Sequence, residues 1–288
     1  MKNETPVVLA CIDGSALSEA VCDYASWISQ RVGAPLKLMH TIDHHHEKAA
    51  SADLSGNIGL DSRDHLLEDI TNQEQQAGKV LLQKGKSLLE KAKQRVVEDG
   101  IADPITCLRH GGLIDSLVEL EDSIRILVIG ARGKIHEDQP DQLGAKLASM
   151  IRSLHRPILV ACNPFKAPES IMIAYDASEA ADKAVDMVAN SPLYRGLTCH
   201  LVYVSKNGKV DIPLKSTAER LRAASGIEVI SVSLQGDAKH ELCEYQVNQD
   251  IDLMIMGAFS HSRIHDWVLG SFTVKMLTNT KRPLLLLR

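Results

Sequence analysis

The sequence predicts an α/β fold with two tandem domains, each a five-stranded parallel, doubly wound sheet of the Rossmann-like type. Short apolar segments rich in Val and Ile alternate with amphipathic stretches, which is the pattern of parallel strands covered by helices on both faces. The same series of segments then occurs a second time along the 288-residue chain. A chain of this length can supply two domains with a core each.

The repeat consists of matched segments that keep the same order in both halves of the chain. The first strand of each half runs into an aspartate, Asp13 or Asp176. The matched pairs are 7–15 with 171–178, 35–42 with 197–204, 124–130 with 251–257, 156–160 with 282–286, and the equal spacings Gly144–Pro157 and Gly270–Pro283. Chance is a poor explanation for so many matches in one order.

Domain boundaries follow from these matches. We predict a first domain over residues 1–163, a proline-containing linker over 164–169 and a second domain over 170–288. The halves differ most after their second strands, because the first half carries an insertion at about residues 43–76. We expect this insertion to contain a loop and to lead into a longer helix.

The helices that follow the second strands differ accordingly. In the first half the periodicity predicts a helix over 75–99, with Gly100 as its stop signal. In the second half only a short helix near 214–225 is expected. The insertion also holds His44–His46, and a metal site is one reading of such a cluster. Adjacent residues on a loop do not converge on one ion by themselves, so we favour a solvated loop and assign no metal site.

Composition excludes several classes of function. The chain is 44% hydrophobic and 24% charged, and it lacks an apolar run long enough to span a membrane. Its start shows no signal-peptide pattern, so we expect a cytoplasmic protein without a membrane partner. The net charge of −5 comes from the first half, and no concentrated basic face indicates nucleic acid. The six cysteines form no CxxC pair and are expected to be buried thiols.

Residues with binding chemistry follow three strands of the second half. Asp176 ends the first strand, and Ser178 is placed to cap the helix that follows. Val204 ends the second strand, and Gly257 leaves the fourth. Ligands of open α/β sheets bind at these carboxyl ends. Gly270 and Ser271 then open a helix, whose first N–H groups are suited to phosphate oxygens.

This constellation resembles the universal stress protein (UspA) family. The family signature G-x2-G-x9-G-[S/T] fits at Gly257, Gly270 and Ser271 and departs from the pattern at Ser260. The resemblance covers the chain as two repeats and implies an adenine nucleotide α-hydrolase-like fold. It also implies a stress-response protein that binds an adenine nucleotide (ATP, or ADP or AMP, with Mg²⁺ as an option).

Family members that bind nucleotide hold adenosine at the first two strand ends and phosphates at the glycine loop and helix start. Carried over by position, the resemblance implicates Asp176, Val204, Gly257, Ser260, Gly270, Ser271 and Thr273. Arg263 in the loop could add positive charge near the phosphates. The family also pairs domains through their last strands, here Ile158–Cys162 and Leu284–Leu287, which implies an intramolecular pseudo-dimer and leaves a homodimer open.

The first half is the weaker candidate. Its equivalent residues are Asp13, Thr41, Gly130, Gly133 and Gly144. The second gap of the signature is ten residues there, the hydroxyl after the last glycine is lost, and the loop is acidic. We therefore expect a degenerate or altered site in this half.

Three functions remain open from the residues. The first is a nucleotide-binding regulator with at most slow ATP hydrolysis, since no catalytic residue and no P-loop motif can be assigned. The second is a nucleotide α-hydrolase or adenylating enzyme, but neither first strand supplies the expected Ser-Gly-Gly loop. The third is an interaction protein with vestigial sites, which Ser260 and Ala145 support.

Overall fold

The structure is a computed structural model, and it describes residues 5–42, 60–131, 145–210, 212–257, 272–273, 276–277 and 281–287. Strands and helices alternate through both halves, which confirms the α/β fold. The elements of the first half are β1 Val7–Cys11, α1 Ser18–Val32, β2 Leu36–Ile42, α2 Leu60–Glu98, β3 Ile105–His110, α3 Leu113–Leu120, β4 Ile124–Gly130, α4 Ala145–Ser153 and β5 Ile158–Ala161. Those of the second half are β6 Ser170–Ala174, α5 Glu179–Asn190, β7 Thr198–Ser205, α6 Leu214–Ser225, β8 Val229–Gln235, α7 Ala238–Asn248, β9 Leu253–Gly257 and β10 Leu284–Leu287.

All ten of these strands belong to one sheet, in the order β3-β2-β1-β4-β5-β10-β9-β6-β7-β8. In each half the second and third strands lie on one side of the first strand, and the fourth strand, β4 or β9, lies on its other side. The order therefore reverses beside β1 in the first half and beside β6 in the second. Among the described strands, β5 and β10 form the antiparallel pair that joins the halves, with Leu284 opposite Val160.

The two repeats suggest one hydrophobic core for each half, but the buried clusters extend across both halves. On one face of the sheet a single buried cluster runs from Ile28 of α1 to Val185 of α5. On the other face a second cluster contains both Leu9 of β1 and Met254 of β9. The antiparallel junction makes the sheet continuous, so the apolar layers on its faces are continuous as well.

Helix α2 begins earlier than the sequence pattern indicates. It starts at Leu60 rather than near residue 75, so a large part of the predicted insertion is helical. Its packed face includes Leu89, Ala92 and Val96. The short helix predicted over 214–225 is confirmed as α6, and Gly226 ends it in the left-handed conformation. Of the described helices, none combines the length and the apolar character that crossing a membrane requires. Residues 44–46 lie outside the described part of the chain.

The strand register corrects one of the matches made from sequence. Cys11 of β1 pairs with Met39, and Ala174 of β6 pairs with Val202. Since Cys11 and Ala174 each lie two residues before the strand-end aspartate, residues 36–42 correspond to 199–205. The match of 35–42 with 197–204 is therefore wrong by one residue, because strands that are apolar on both faces look alike in either alignment.

Candidate functional site

A pocket lies at the carboxyl ends of β6, β7 and β9, where the strand order of the second half reverses. Its volume of about 160 Å³ exceeds the space that one water occupies. The described residues that line it are Ala174, Tyr175, Asp176, Ser178, Ala181, Val202, Val204, Ala238, Leu242, Met256, Gly257 and Phe272. Three residues predicted from sequence, Asp176, Val204 and Gly257, thus meet in one pocket.

Asp176 is held in a tight turn between β6 and α5. Its Oδ1 accepts a hydrogen bond from the N–H of Ser178 at 3.0 Å. Ser178 in turn caps α5, because its Oγ accepts the N–H of Ala181 at 3.2 Å, as predicted. Ala177 between them has a φ of +57°, a left-handed conformation that glycine adopts more easily. The turn therefore places a carboxylate at the pocket in a defined orientation.

The pocket floor is apolar. Val202 and Met256 contribute from the sheet, and Leu242 contributes from α7, which lies over β7. Val204 is half-buried at the rim. Among the described lining residues Asp176 is the charged one, so the pocket combines an apolar surface with one carboxylate. This arrangement suits a flat ring system that carries hydroxyl groups.

Gly257 has a packing role that the sequence pattern does not reveal. A Cβ placed on this residue would lie 2.5 Å from the Cβ of Ala180 in α5. The end of β9 therefore approaches the first turn of α5 more closely than any side chain allows. Glycine is explained at this position by the close contact alone, whatever the loop after it binds.

The remaining predicted residues of the second half are only partly visible. Thr273 is buried at 2% exposure, and the neighbouring Phe272, which the sequence did not indicate, lines the pocket instead. The other four predicted contacts lie outside the described residues; these are Ser260, Arg263, Gly270 and Ser271.

In the first half the equivalent aspartate is engaged differently. Oδ1 of Asp13 accepts the N–H of Ser15 at 3.0 Å and also the hydroxyl of Ser18 at 3.2 Å. The residue equivalent to Ser18 in the second half is Ala181, which has no hydroxyl. Thr41 lies at the position of Val204, as the register shows. Of the predicted glycines, Gly130 ends β4, and Gly133 and Gly144 lie outside the described residues.

The floor of the first half also carries larger side chains than that of the second. Cys11 stands where the pocket has Ala174, and Met39, which is fully buried, stands where it has Val202. Leu113 of α3 likewise takes the place of Ala238 of α7. These substitutions reduce the space above the strands. The sequence carries a signal for this difference, since it is visible once the floor positions of the two halves are aligned in register.

The sequence matches the model of the Universal stress protein family over residues 5–161 and 208–288. Together these segments cover most of the chain.

The chain belongs to the universal stress protein family.

Known proteins resemble the chain over its whole length. Universal stress protein Slr1230 of Synechocystis is 32% identical over 291 residues, which is 100% of both chains. A universal stress protein of Archaeoglobus fulgidus has a similar solved fold, with a TM-score of 0.67 and 16% identity, covering 98% of this chain and 96% of the other. A functionally unknown protein of Pseudomonas aeruginosa has a TM-score of 0.61 and 10% identity, covering 98% and 92%.

The match to the family leaves out residues 162–207, which include Asp176 and Val204. The strand register nevertheless places these residues where the matched first half has Asp13 and Thr41. The pocket of this universal stress protein is thus equivalent in position to the matched strand ends of its other repeat.

Two further polar groups lie elsewhere in the described residues. A cleft of about 410 Å³ beside α3 contains Arg109, whose guanidinium donates to Oε2 of Glu119 at 2.8 Å and to the carbonyl of Ser116 at 3.2 Å. On α7, His240 and Glu244 are exposed and contact each other at 3.4 Å. With Glu241 they bring three metal-binding side chains within 4.8 Å, but exposed groups of this kind commonly bind no ion.

Proposed function

We propose that this universal stress protein binds an adenine nucleotide in the pocket of its second half and acts as a cytoplasmic stress-response regulator. The proposal is carried by one observation: an apolar pocket with a carboxylate lies where the strand order reverses. Base and ribose have the matching chemistry, since a purine is flat and weakly polar and the ribose hydroxyls can donate to Asp176. The ligand is ATP, or ADP or AMP.

The proposed contacts divide by chemistry. Val204 and Met256 pack against the base, and Asp176 accepts hydrogen bonds from the ribose. The loop after Gly257 and the following helix start hold the phosphates, with Ser260, Arg263, Gly270 and Ser271 as the proposed residues, whereas the burial of Thr273 removes it from this set. Mg²⁺, where it is bound, would be held chiefly by phosphate oxygens, which is usual for this ion.

The described lining favours binding over rapid turnover. Asp176 is the carboxylate at the pocket, and its Oδ1 is already bonded within the turn. Tyr175 is the other titratable side chain among the described lining residues, and its hydroxyl is already engaged, because it donates to Oδ1 of Asp182 at 2.9 Å. We therefore propose that the protein hydrolyses ATP slowly at most. Measuring the release of phosphate over hours tests this.

In this proposal the first half serves as a scaffold with a degenerate site. We propose domains over 1–163 and 170–288, with a linker at 164–169. The bulkier Cys11 and Met39 support this division of roles. The β5–β10 pair would then make the chain an intramolecular pseudo-dimer with one working pocket.

Calorimetric titration with ATP, ADP and AMP tests the proposal. Ala174→Cys together with Val202→Met gives the pocket the floor of the first half, so we expect affinity to fall at least about tenfold, or about 1.4 kcal/mol. Asp176→Asn keeps an oxygen for the turn but removes the charge, and a similar fall is expected. The matched control is Asp13→Asn in the first half, which should leave affinity unchanged.

Failure of all three nucleotides to bind the wild-type protein at millimolar concentration would reject the proposal and favour a protein–protein interaction role. If nucleotide binds but Asp13→Asn weakens it more than Asp176→Asn does, the working pocket is in the first half. Thermal melting of each variant shows whether a lost affinity reflects unfolding.

A further inference from the structure

Strand β8 forms one edge of the ten-stranded sheet and pairs only with β7 among the described strands. Its middle is open to solvent, since Ser231 and Ser233 are exposed and the apolar Ile230 is 38% exposed. The strand, VISVSLQ, contains no charged residue and no proline. Natural edge strands usually carry such residues because they prevent pairing with other chains.

The hydrogen bonds to β7 show which backbone groups of β8 face outward. The N–H of Gly236 donates to the carbonyl of Ser205, and the carbonyl of Glu228 accepts from the N–H of Cys199. Residues 228 and 236 thus point toward β7, and the even-numbered residues between them do so too. The N–H and C=O groups of Ser231 and Ser233 therefore face the free edge.

One side chain limits this free edge at its start. The guanidinium of Arg222 donates to the carbonyl of Val229 at 2.6 Å. This carbonyl belongs to an odd-numbered residue and points outward, so Arg222 occupies it from within the same chain. The open part of the edge accordingly begins at Ile230.

The open segment reads nearly the same in both directions: Ile230-Ser231-Val232-Ser233-Leu234. An antiparallel pair made by a two-fold axis through Val232 places Ser231 opposite Ser233 and Ile230 opposite Leu234. Apolar residues then face apolar residues on one side of the sheet, and serines face serines on the other. A two-fold interface demands this kind of self-complementarity.

We propose that β8 is a dimerisation edge, and that its partner is β8 of a second copy of this chain. The outward-facing Ser231 and Ser233 form the hydrogen-bonded pairs of the new ladder. Val232 meets its own copy in a non-hydrogen-bonded pair, where side chains approach most closely. Two observations thus select the same register about Val232: the odd-numbered residues of β8 direct their backbone groups outward, and the side chains are symmetric about this residue.

The opposite edge of the sheet lacks these properties. Strand β3 carries Arg109 and His110, and an antiparallel pairing about its middle would set Ile105 near Arg109 or His110. Charged residues at an edge oppose pairing. Of the two edge strands that the structure describes, β8 alone is self-complementary, so assembly through these edges stops at the dimer and does not continue into a filament.

The expected dimer is weak. The open segment is short, and stable interfaces usually bury more than about 1,000 Å² in total. We therefore expect a dissociation constant in the micromolar range, which corresponds to a dimer that forms as concentration rises.

Sedimentation velocity of the full chain from about 1 μM to about 1 mM tests this proposal. The wild type should shift from monomer to dimer. Ser231→Pro removes an outward N–H that β7 does not use, so it should abolish the shift without changing the melting temperature much. Ser231→Thr is the conservative control and should dimerise like the wild type.

A pair of charge variants tests the register. Ser231→Lys with Ser233→Lys places lysine opposite lysine, and the dissociation constant should rise at least about tenfold. Ser231→Lys with Ser233→Glu places lysine opposite glutamate across the axis, so dimerisation should be retained.

A wild type that stays monomeric throughout overturns the proposal, and so does a dimer that ignores Ser231→Pro. Equal behaviour of the two charge variants overturns the register about Val232. A folded state for every variant is checked by circular dichroism.

Discussion

At the scale of the residue, the two strand-end turns show how one backbone shape is built from different sequences. Gly14 follows Asp13 with a φ of +76°, and Ala177 follows Asp176 with a φ of +57°. A left-handed alanine is strained by contact of its Cβ with the backbone, whereas glycine is not. The turn at the proposed nucleotide pocket is thus held against a local preference.

Ala177→Gly should therefore raise the free energy of unfolding, by about 0.5–1 kcal/mol, since relief of strain exceeds the added freedom of the unfolded chain. Gly14→Ala is the reciprocal change and should lower it by about 1 kcal/mol. A Cβ at Gly14 would touch only Leu88 at 3.6 Å, an ordinary contact, so conformation alone is tested. Urea unfolding measures both. Destabilisation by Ala177→Gly would contradict the strain.

At the scale of the element, the contact between β9 and α5 sets the shape of the pocket. The chain leaves β9 at Gly257 directly beneath Ala180, in the first turn of α5. A helix can approach a strand end this closely only where both residues are small. The position of α5, and of Asp176 before it, thus depends on a glycine that lies far away in sequence.

Gly257→Ala should lower the free energy of unfolding by about 1–3 kcal/mol, because the new methyl group overlaps Ala180 and forces α5 or β9 to move. The matched control is Gly78→Ala in α2, where the added Cβ meets nothing within 4 Å. That change should be neutral or stabilising by up to about 1 kcal/mol. Thermal and urea unfolding compare the two, and equal effects would count against the close contact.

At the scale of the whole molecule, residues 164–169, the proposed linker, are fixed to both halves. Phe165 packs edge-on against Tyr24 of α1, with ring centroids 4.8 Å apart. On the other side, Asp252 before β9 accepts hydrogen bonds from Nζ of Lys166 at 2.7 Å and from the N–H of Glu169 at 2.9 Å. With the continuous sheet, these contacts make the two repeats one structural unit.

Asp252 should make this unit sensitive to acid. Burial opposes its ionisation, but the bonds from Lys166 and from the N–H groups of Glu169 and Ser170 outweigh it and lower the pKa of this carboxyl. The stabilisation is therefore complete at neutral pH and is lost as the pH falls below about 4, where the unfolded chain takes up the proton first.

Asp252→Asn should cost about 2 kcal/mol at pH 7 and should remove part of the loss of stability between pH 5 and pH 3. Asp122→Asn is the control, since Asp122 is fully exposed and its contact with Arg156 is long at 3.6 Å. Urea unfolding at several pH values measures both. An unchanged pH profile in Asp252→Asn would show that other carboxyls carry the acid sensitivity.

Local signals in the sequence were sufficient for much of the architecture. Period and repetition predicted the alternating elements, and the Asp-Ala-Ser order at Asp176 predicted a strand end and a capped helix. The stop of α2 just before Gly100 was equally readable. Each of these features depends on residues close together in the chain, so the sequence alone determines it.

What only the tertiary structure decided depends on residues that meet across strands. The register places Met39 and Cys11 at the positions that Val202 and Ala174 take in the floor of the second pocket. The pattern of apolar residues alone did not reveal the shift of one residue in the alignment of β2 with β7. Position 257 requires glycine because α5 passes directly above it. The sequence determined that this protein contains two copies of one fold, and packing between distant residues decided that the copies share a sheet and differ in their pockets.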